Sequence, residues 1–478
     1  MATVNLKIDD KDVTVEAGTM IIEAAKTVKT EVPHYCYHPG LSIAGNCRMC
    51  LVLVEKMPKP VIACKTPVAE GMVVHTNTPE VKKIQQSIME FLLINHPLDC
   101  PTCDQAGECR LQDYYMEYDR VPSRFKEGKV HKNKMVDLGS GVMLDEERCI
   151  VCTRCVRFCE EIAGNKELYV QERGDHSMVS TFPGKPMANP YSGCTVDVCP
   201  VGALTSEDFR FKKRVWFLKS ANSVCPGCSR GCNIEIHHTE NKVYRLKPRY
   251  NSEVNKYWIC DAGRYDYKFL NESRRFKPAM RQDSGLIEAS YEDAFAELKK
   301  NLDTYSIDEV AFIASAKESN ESIDAFVDFA SNVYDQLDVY YSKVDPENPY
   351  SDDILITADK NPNMAYVAKR GLKPVSDISD KVKAVVVQRE LSSKDLAIVK
   401  ARGLKVVLAF TTNENSLDDI AQVVLPIPTY AEQIGHFTNV QGKVQRFEMA
   451  FPPRIEVRPI QEYLADMTKM AAEMKKAG

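Results

Sequence analysis

Cys149, Cys152 and Cys155, written RCIVCTRC, are followed after 43 intervening residues by Cys199 in CPVGAL, the C-x2-C-x2-C plus distant Cys-Pro spacing of a ferredoxin. Four thiolates so arranged fit a cubane 4Fe-4S cluster, whose chemistry is the carriage of single electrons. The set is not alone, because all 17 cysteines lie between Cys36 and Cys260. Cys36, Cys47, Cys50 and Cys64 are spaced C-x10-C-x2-C-x13-C, with Gly40 and Gly45 in the connecting loop. Small residues there would let backbone N–H groups approach the sulfurs of a 2Fe-2S cluster. A zinc site is the alternative, but zinc ligands usually come as two close C-x2-4-C pairs and only one is present.

Between these sets stands HPLDCPTCDQAGEC, with His96, Cys100, Cys103 and Cys109. Three cysteines leave a cubane one ligand short, and His96, four residues before Cys100, is placed to fill the vacancy. A neutral imidazole in place of a thiolate removes one negative charge and should raise the potential. His34 and His38 flank Cys36, have no vacancy to fill, and are read as structural. A fourth set, Cys225, Cys228, Cys232 and Cys260 in VCPGCSRGC and WICDAGR, has the spacing C-x2-C-x3-C-x27-C, with Gly227 and Gly231 permitting tight wrapping. It suits another 4Fe-4S cluster, with a zinc ribbon as the competing reading. Cys159 and Cys194 belong to no set. In two-cluster ferredoxins a residue at the position of Cys159 ligates a second cluster, so a degenerate fold with one cluster retained is expected. Completion of an extra cluster by another subunit or by non-cysteine ligands stays open.

The elements that must carry these ligands are legible in part. VNLKID and VTVE alternate around a turn and MIIEAAKTV is helical, the start of a β-grasp ferredoxin. PEVKKIQQSIMEFLLIN has helical periodicity and delivers the chain to His96. Pro122 to Lys134 reads as an exposed connection. Beyond residue 272, helical YEDAFAELKKNL, IDAFVDFASNVY and KDLAIVKARG alternate with strand-like VAFIAS, KAVVVQ and KVVLAFTT, the pattern of a parallel sheet between helices. At 478 residues the chain predicts three to five domains, and a net charge of -5 argues against nucleic acid as a partner. MATVNLKIDD lacks the charged and apolar regions of a signal peptide, and no apolar run approaches the roughly 20 residues of a membrane span. A soluble protein in a reducing compartment is expected, its cysteines used for ligation rather than disulfides.

In order and combination, HPLDCPTCDQAGEC, RCIVCTRCVRFC, DVCPVGAL and CPGCSRGC with WICDAGR resemble the motifs of the G subunit, the large iron-sulfur subunit of bacterial respiratory NADH:quinone oxidoreductase, complex I. The resemblance is dense over residues 1 to about 270. It implies that electrons arrive from a partner subunit whose flavin oxidises NADH, cross these clusters, and leave to a ferredoxin-like iron-sulfur subunit above the membrane arm. It assigns the 2Fe-2S cluster to Cys36, Cys47, Cys50 and Cys64, and cubanes to the sets of His96 and of Cys149. The set of Cys225 matches an additional cubane that only some bacterial members keep, off the main path. A peripheral place on the cytoplasmic side of the inner membrane follows from the same resemblance.

The expected fold class is multidomain α+β and α/β. Residues 1–78 form the β-grasp 2Fe-2S domain, 79–120 the histidine-ligated segment, 138–212 the degenerate ferredoxin domain, 218–272 a molybdopterin-oxidoreductase-type 4Fe-4S domain, and 273–478 a truncated α/β domain of the same fold. QVVLPIPTYAEQIGHFTNVQGKVQRF is similar to the closing part of that fold. No cysteine follows Cys260 and no phosphate-binding glycine motif is present, so a scaffold without molybdopterin is expected. No catalytic acid, base or nucleophile is sought, because outer-sphere electron transfer needs none. Arg48, Arg110, Arg148, Arg154 and Arg157, beside the ligands, could raise cluster potentials, the alternative being ordinary surface charge. Two other classes compete: the iron-sulfur subunit of a soluble NAD-linked hydrogenase or formate dehydrogenase, which shares the first three motifs, and a zinc-bound scaffold.

Overall fold

The computed structural model describes residues 2–118, 122–283, 285–334 and 338–477, which divide into two compact units, 1–217 and 218–478. In the first, β1 (Thr3–Ile8) and β2 (Lys11–Glu16) form a hairpin. Its two turn residues, Asp9 and Asp10, both have positive φ, 46° and 66°, as a two-residue turn matched to the strand twist requires. Leu6, Ile8 and Val13 alternate inward and are buried. With β3 (Leu51–Val54), β4 (Val61–Ile62) and β5 (Val73–His75) they make a five-stranded sheet of order β2-β1-β5-β3-β4, over which α1 (Ile21–Thr27) buries Ile21, Ile22, Ala24 and Ala25.

Helix α2 (Pro79–Leu93) begins as its sequence dictates, with Pro79 at the first position and the Thr78 hydroxyl accepting from Val81 N at 3.2 Å. Lys129, in the connection predicted at 122–134, donates to the terminal carbonyls of Leu93 and Ile94 at 2.7 and 2.8 Å. A 3-10 turn at Cys100–Thr102 and α3 (Arg110–Tyr118) follow. The ferredoxin-like stretch consists of β6 (Val136–Asp137), β7 (Val142–Leu144), α4 (Arg154–Glu161), the hairpin β8 (Tyr169–Gln171) and β9 (Met178–Ser180), α5 (Cys194–Val198) and β10 (Leu204–Ser206). β10, β7 and β6 pair in a small antiparallel sheet.

The second unit opens with an antiparallel meander, β11 (Lys219–Val224), β12 (Asn233–Thr239) and β13 (Lys242–Pro248), then α6 (Asp261–Tyr265). Next come β14 (Ala279–Gln282), β15 (Gly285–Glu288), α7 (Tyr291–Leu302), β16 (Val310–Ser315), α8 (Asn320–Tyr334), β17 (Tyr340–Ser342), α9 (Met364–Lys369), β18 (Lys373–Pro374), β19 (Ala384–Gln388), α10 (Ser393–Ala401), β20 (Lys405–Thr411) and β21 (Ala421–Pro426). The chain closes with β22 (Gly435–Thr438), β23 (Val444–Phe447) and α11 (Ile460–Ala477). β14 to β21 form one eight-stranded sheet, parallel from β18 through β17, β16, β19 and β20 to β21, with the β14–β15 hairpin added antiparallel at the β21 edge. Central strands β16 and β19 are buried at every position because helices cover both faces. α7, α8 and α11 pack Leu298, Phe326, Tyr463 and their neighbours on one face, and α10 places Val399 on the other.

Candidate iron-sulfur centres

The structure gathers each predicted cysteine set. In the first, the sulfurs lie within hydrogen-bonding reach of one another: Cys47 and Cys64 donate to Cys36, which holds its thiol low, while Cys64 is driven high by serving Cys36 and Cys50. Cys36 N also donates to Cys47 Sγ at 3.4 Å. His34 and His38 turn to the backbone, His34 Nδ1 to Val32 O at 2.8 Å and His38 Nδ1 accepting from Gly40 N at 3.1 Å.

The second set rings a cavity of about 530 Å³, lined by His96, Cys100, Cys103 and Cys109 together with Leu98, Leu111 and Phe125. Burial keeps His96 neutral down to about pH 4, the form that can ligate a metal, and its Nδ1 is buried without a hydrogen-bond partner among the described residues. Burial also pushes the Cys109 thiol up to about 11. Gly202 closes the cavity. A Cβ at this position would collide with Cys103 Sγ, so the glycine of the CPVGAL motif is required by the second set rather than by the third.

Cys149, Cys152, Cys155 and Cys199 line a single, much smaller pocket with Leu144, Val179 and Val201. Val151 and Thr153, both β-branched, take left-handed backbone at φ 50° and 62°. Such residues cost about 1–3 kcal/mol each and persist where the loop path is imposed by a site. Val151 N donates to Cys149 Sγ at 3.4 Å. Burial pushes Cys149 to about 12 and Cys152 to about 11. These thiols would not ionise alone; a cationic iron core held inside the ring would supply the charge that makes thiolates stable there.

In the fourth set, Cys225, Cys228, Cys232 and Cys260 act on one another electrostatically. Gly227 N and Gly263 N donate to Cys225 Sγ and Cys260 Sγ at 3.5 and 3.3 Å. Gly231, at φ 65°, offers O to Gln445 Nε2 at 2.9 Å, and a side chain at this position would strike the same amide. Among the described residues no three His, Cys, Asp or Glu side chains converge as ligands of a single metal ion. The donor sets fit clusters instead: rings of buried and half-buried thiols, backbone N–H groups aimed at sulfur, and one imidazole with an unpartnered nitrogen.

The third set is hydrogen-bonded to both others in its unit. Arg157, on α4, donates to Cys36 O at 2.6 Å and to Cys152 O at 3.3 Å, so one guanidinium touches a ligand residue of each set. Arg154 spans Tyr37 O and Val198 O, the latter at 3.2 Å. On the other side Arg110 N donates to Pro200 O at 3.2 Å, joining the residue after Cys109 to the residue after Cys199. The first and second sets meet as well, since Tyr35, beside Cys36, packs edge-on against Tyr114 of α3 with ring centroids 5.3 Å apart. Of the five arginines singled out from sequence, Arg48 and Arg110 are exposed, whereas Arg148, Arg154 and Arg157 are buried and are not surface charge. Cys159 and Cys194 are fully buried neighbours on α4 and α5. Burial, then the charges of Glu167 and Cys194, push Cys159 to about 12.

Comparison with known proteins agrees with this geometry. Residues 1–79 match the family described as 2Fe-2S iron-sulfur cluster binding domain, and 85–124 the NADH-ubiquinone oxidoreductase-G iron-sulfur binding region. Residues 139–205 match the ferredoxin-like domain of NADH-quinone oxidoreductase subunit 3, and 218–272 the molybdopterin oxidoreductase Fe4S4 domain. The NADH-quinone oxidoreductase G subunit of Rickettsia conorii is 41% identical over 320 residues, 67% of this chain and 48% of that protein. Over that span this chain belongs to the G-subunit family of NADH-quinone oxidoreductase. The mitochondrial NADH-ubiquinone oxidoreductase 78 kDa subunit of Neurospora crassa is 42% identical over 335 residues, 70% of this chain and 45% of that one. The chain spans about half the length of the curated G-subunit relatives it matches. A crystal structure of an NAD+-reducing [NiFe]-hydrogenase aligns with a TM-score of 0.41 and 24% identity, covering 45% of this chain and 92% of that one, too loose a likeness to bear on fold or function.

A second cavity in this G-subunit relative has no sequence signal. It lies at the C-terminal ends of β16, β19 and β20, has a volume of about 590 Å³, and is lined by Lys317, Arg389 and Asn415, with Pro226, Gly227 and Asp266 on its other side. Crevices beyond strand ends are where open parallel sheets bind ligands, and this one lacks the glycine-rich turn that marks many of them in sequence. Among the described residues, no helix is long and apolar enough to cross a membrane.

Proposed function

We propose that this chain is an electron conduit of an NADH-quinone oxidoreductase. In this reading Cys36, Cys47, Cys50 and Cys64 hold a 2Fe-2S cluster. Cubanes sit on His96, Cys100, Cys103 and Cys109, on Cys149, Cys152, Cys155 and Cys199, and on Cys225, Cys228, Cys232 and Cys260. Electrons enter from a flavin subunit that oxidises NADH and leave through a ferredoxin-like subunit toward quinone, on the cytoplasmic face of a membrane arm. Residues 1–78 are the β-grasp domain and 138–212 a ferredoxin domain with one cluster retained. Residues 273–478 are a shortened molybdopterin-oxidoreductase-type scaffold without pterin.

The observation that supports this reading best is the bonded contact of three ligand sets inside one unit, through Arg157 on one side and Arg110 N–H on the other. When bound, the clusters supply one-electron chemistry. The chain's own residues fix the spacing of the rings, exclude water from the thiols, and aim N–H donors at sulfur, which sets potential. Anaerobic titration of the purified chain, followed by EPR, tests the reading. Dithionite should develop cluster signals stepwise, and NADH alone should develop none. Direct reduction by NADH would contradict placing the NADH site on a partner.

A further inference from the structure

Five arginines among the described residues are buried: Arg148, Arg154, Arg157, Arg264 and Arg389. Three of them face carboxylates, Arg148 with Asp99 and Asp145, Arg264 with Asp261, and Arg389 with Glu318. Arg154 and Arg157 face none among the described residues. Their N–H groups go to neutral oxygens instead: Arg154 to Tyr37 O and Val198 O, Arg157 to Cys36 O, Ser42 O, Cys152 O and the Thr153 hydroxyl. Arg154 Nε has no hydrogen-bond partner among the described residues. The nearby carboxylate, Glu161 on the same helix, is occupied by Ser42 N and Oγ.

A buried guanidinium without a counter-charge is costly, and folds do not keep two side by side without compensation. The groups whose ionised form would favour the Arg154 charge are thiols, Cys152 and Cys199 of the third set and Cys36 of the first, while Arg110 opposes it. Every carbonyl the pair binds, apart from Ser42 O, belongs to a ligand of one of these sets or to the residue beside one. Clusters held by four thiolates are net anionic and become more so on reduction, so potential follows the charge around them.

We propose that Arg154 and Arg157 are shared counter-cations of the first and third clusters, anchored by the ligand loops of both and raising both potentials together. The proposal rests on reading those two sets as cluster sites. An electron that leaves the first site and arrives at the third then stays beside the same two charges, so its passage costs little in their field. Both residues are positioning groups: neither is a ligand, and each acts on the clusters through space and through the ligand carbonyls.

Redox-poised EPR of the anaerobically purified full chain tests this with two substitutions of opposite design. Arg154→Gln keeps an N–H donor and removes the charge; Arg154→Lys keeps the charge and removes the fork. The expected result is a downward shift of both the first and the third midpoint potential in Arg154→Gln, with Arg154→Lys close to the unsubstituted protein. A shift confined to one cluster, no shift, or an equal shift in Arg154→Lys would overturn the proposal. Should Arg154→Gln fail to assemble clusters, Arg157→Gln against Arg157→Lys carries the same comparison. Loss of both signals in the lysine variants too would place the requirement on shape and overturn it. Failure of the underlying reading looks different: the unsubstituted protein would then lack the two signals.

Discussion

The second and third ligand sets use buried arginine in opposite ways. Arg148, beside the second, is held by Asp99 at 2.6 and 3.2 Å and faces Asp145 at 3.4 Å, with Lys134 adding a further positive charge to the same carboxylates. Arg154 and Arg157, beside the third, meet only carbonyls and hydroxyl oxygen. Proximity of an arginine to a cluster site therefore does not settle what it does there. Where carboxylates share the charge, the arginine ties loops together and its field at sulfur, here on Cys103, is partly offset. Where only carbonyls do, the field reaches the sulfurs.

The strongest way to break the comparison is to damage one set and read the others. Gly202→Ala puts a methyl group onto Cys103 Sγ, and we expect loss of the second cluster, about four iron per chain, with the first-set signal retained. Iron analysis and EPR check this; full iron retention would mean that the loop yields freely. Next in size, Arg148→Met should destabilise the first unit by about 3 kcal/mol, because it leaves Asp145, at 4% exposure, only Lys134 at 3.8 Å as a counter-charge. Adding Asp145→Asn should recover part of that loss in a double-mutant cycle read by thermal unfolding. Substituting His96 by Cys restores a thiolate and should lower the second cluster's potential in poised EPR while leaving the first and third in place; an unchanged potential would remove His96 from the ligand set. In the other unit, Tyr463→Phe removes an OH that donates to Pro426 O at 2.9 Å and lies 2.9 Å from Tyr291 OH, a loss of about 1 kcal/mol in unfolding of that unit alone. Smallest of all, Arg48→Gln should leave the first potential where it is, because this side chain is exposed and solvent screens it.

Much of this is legible in the residues, for physical reasons that differ by region. Local signals carry the helices and central strands: Ser290 caps α7 by accepting from Asp293 N at 3.0 Å, and VAFIAS occupies all of β16. Ligand spacing carries the cysteine sets, because a covalent cage needs thiolates at set intervals. Short edge strands such as β17 and β18 escape a sequence reading, since two or three residues have no measurable period. The β14–β15 hairpin escapes it because its pairing with β21 joins positions far apart in sequence. The partners of Arg157 lie as far as 121 positions earlier, and nothing in VRFC reveals that its guanidinium meets Cys36 O rather than a carboxylate. Gly202 is the sharpest case, since its motif belongs to one set and its missing side chain serves another.

The most direct test of the cluster assignments is iron and acid-labile sulfide per chain, with EPR of the anaerobically purified, dithionite-reduced protein. About 14 iron and 14 sulfide, with one 2Fe-2S and up to three cubane signals, is the predicted result. Zinc without sulfide in the same preparation would contradict it.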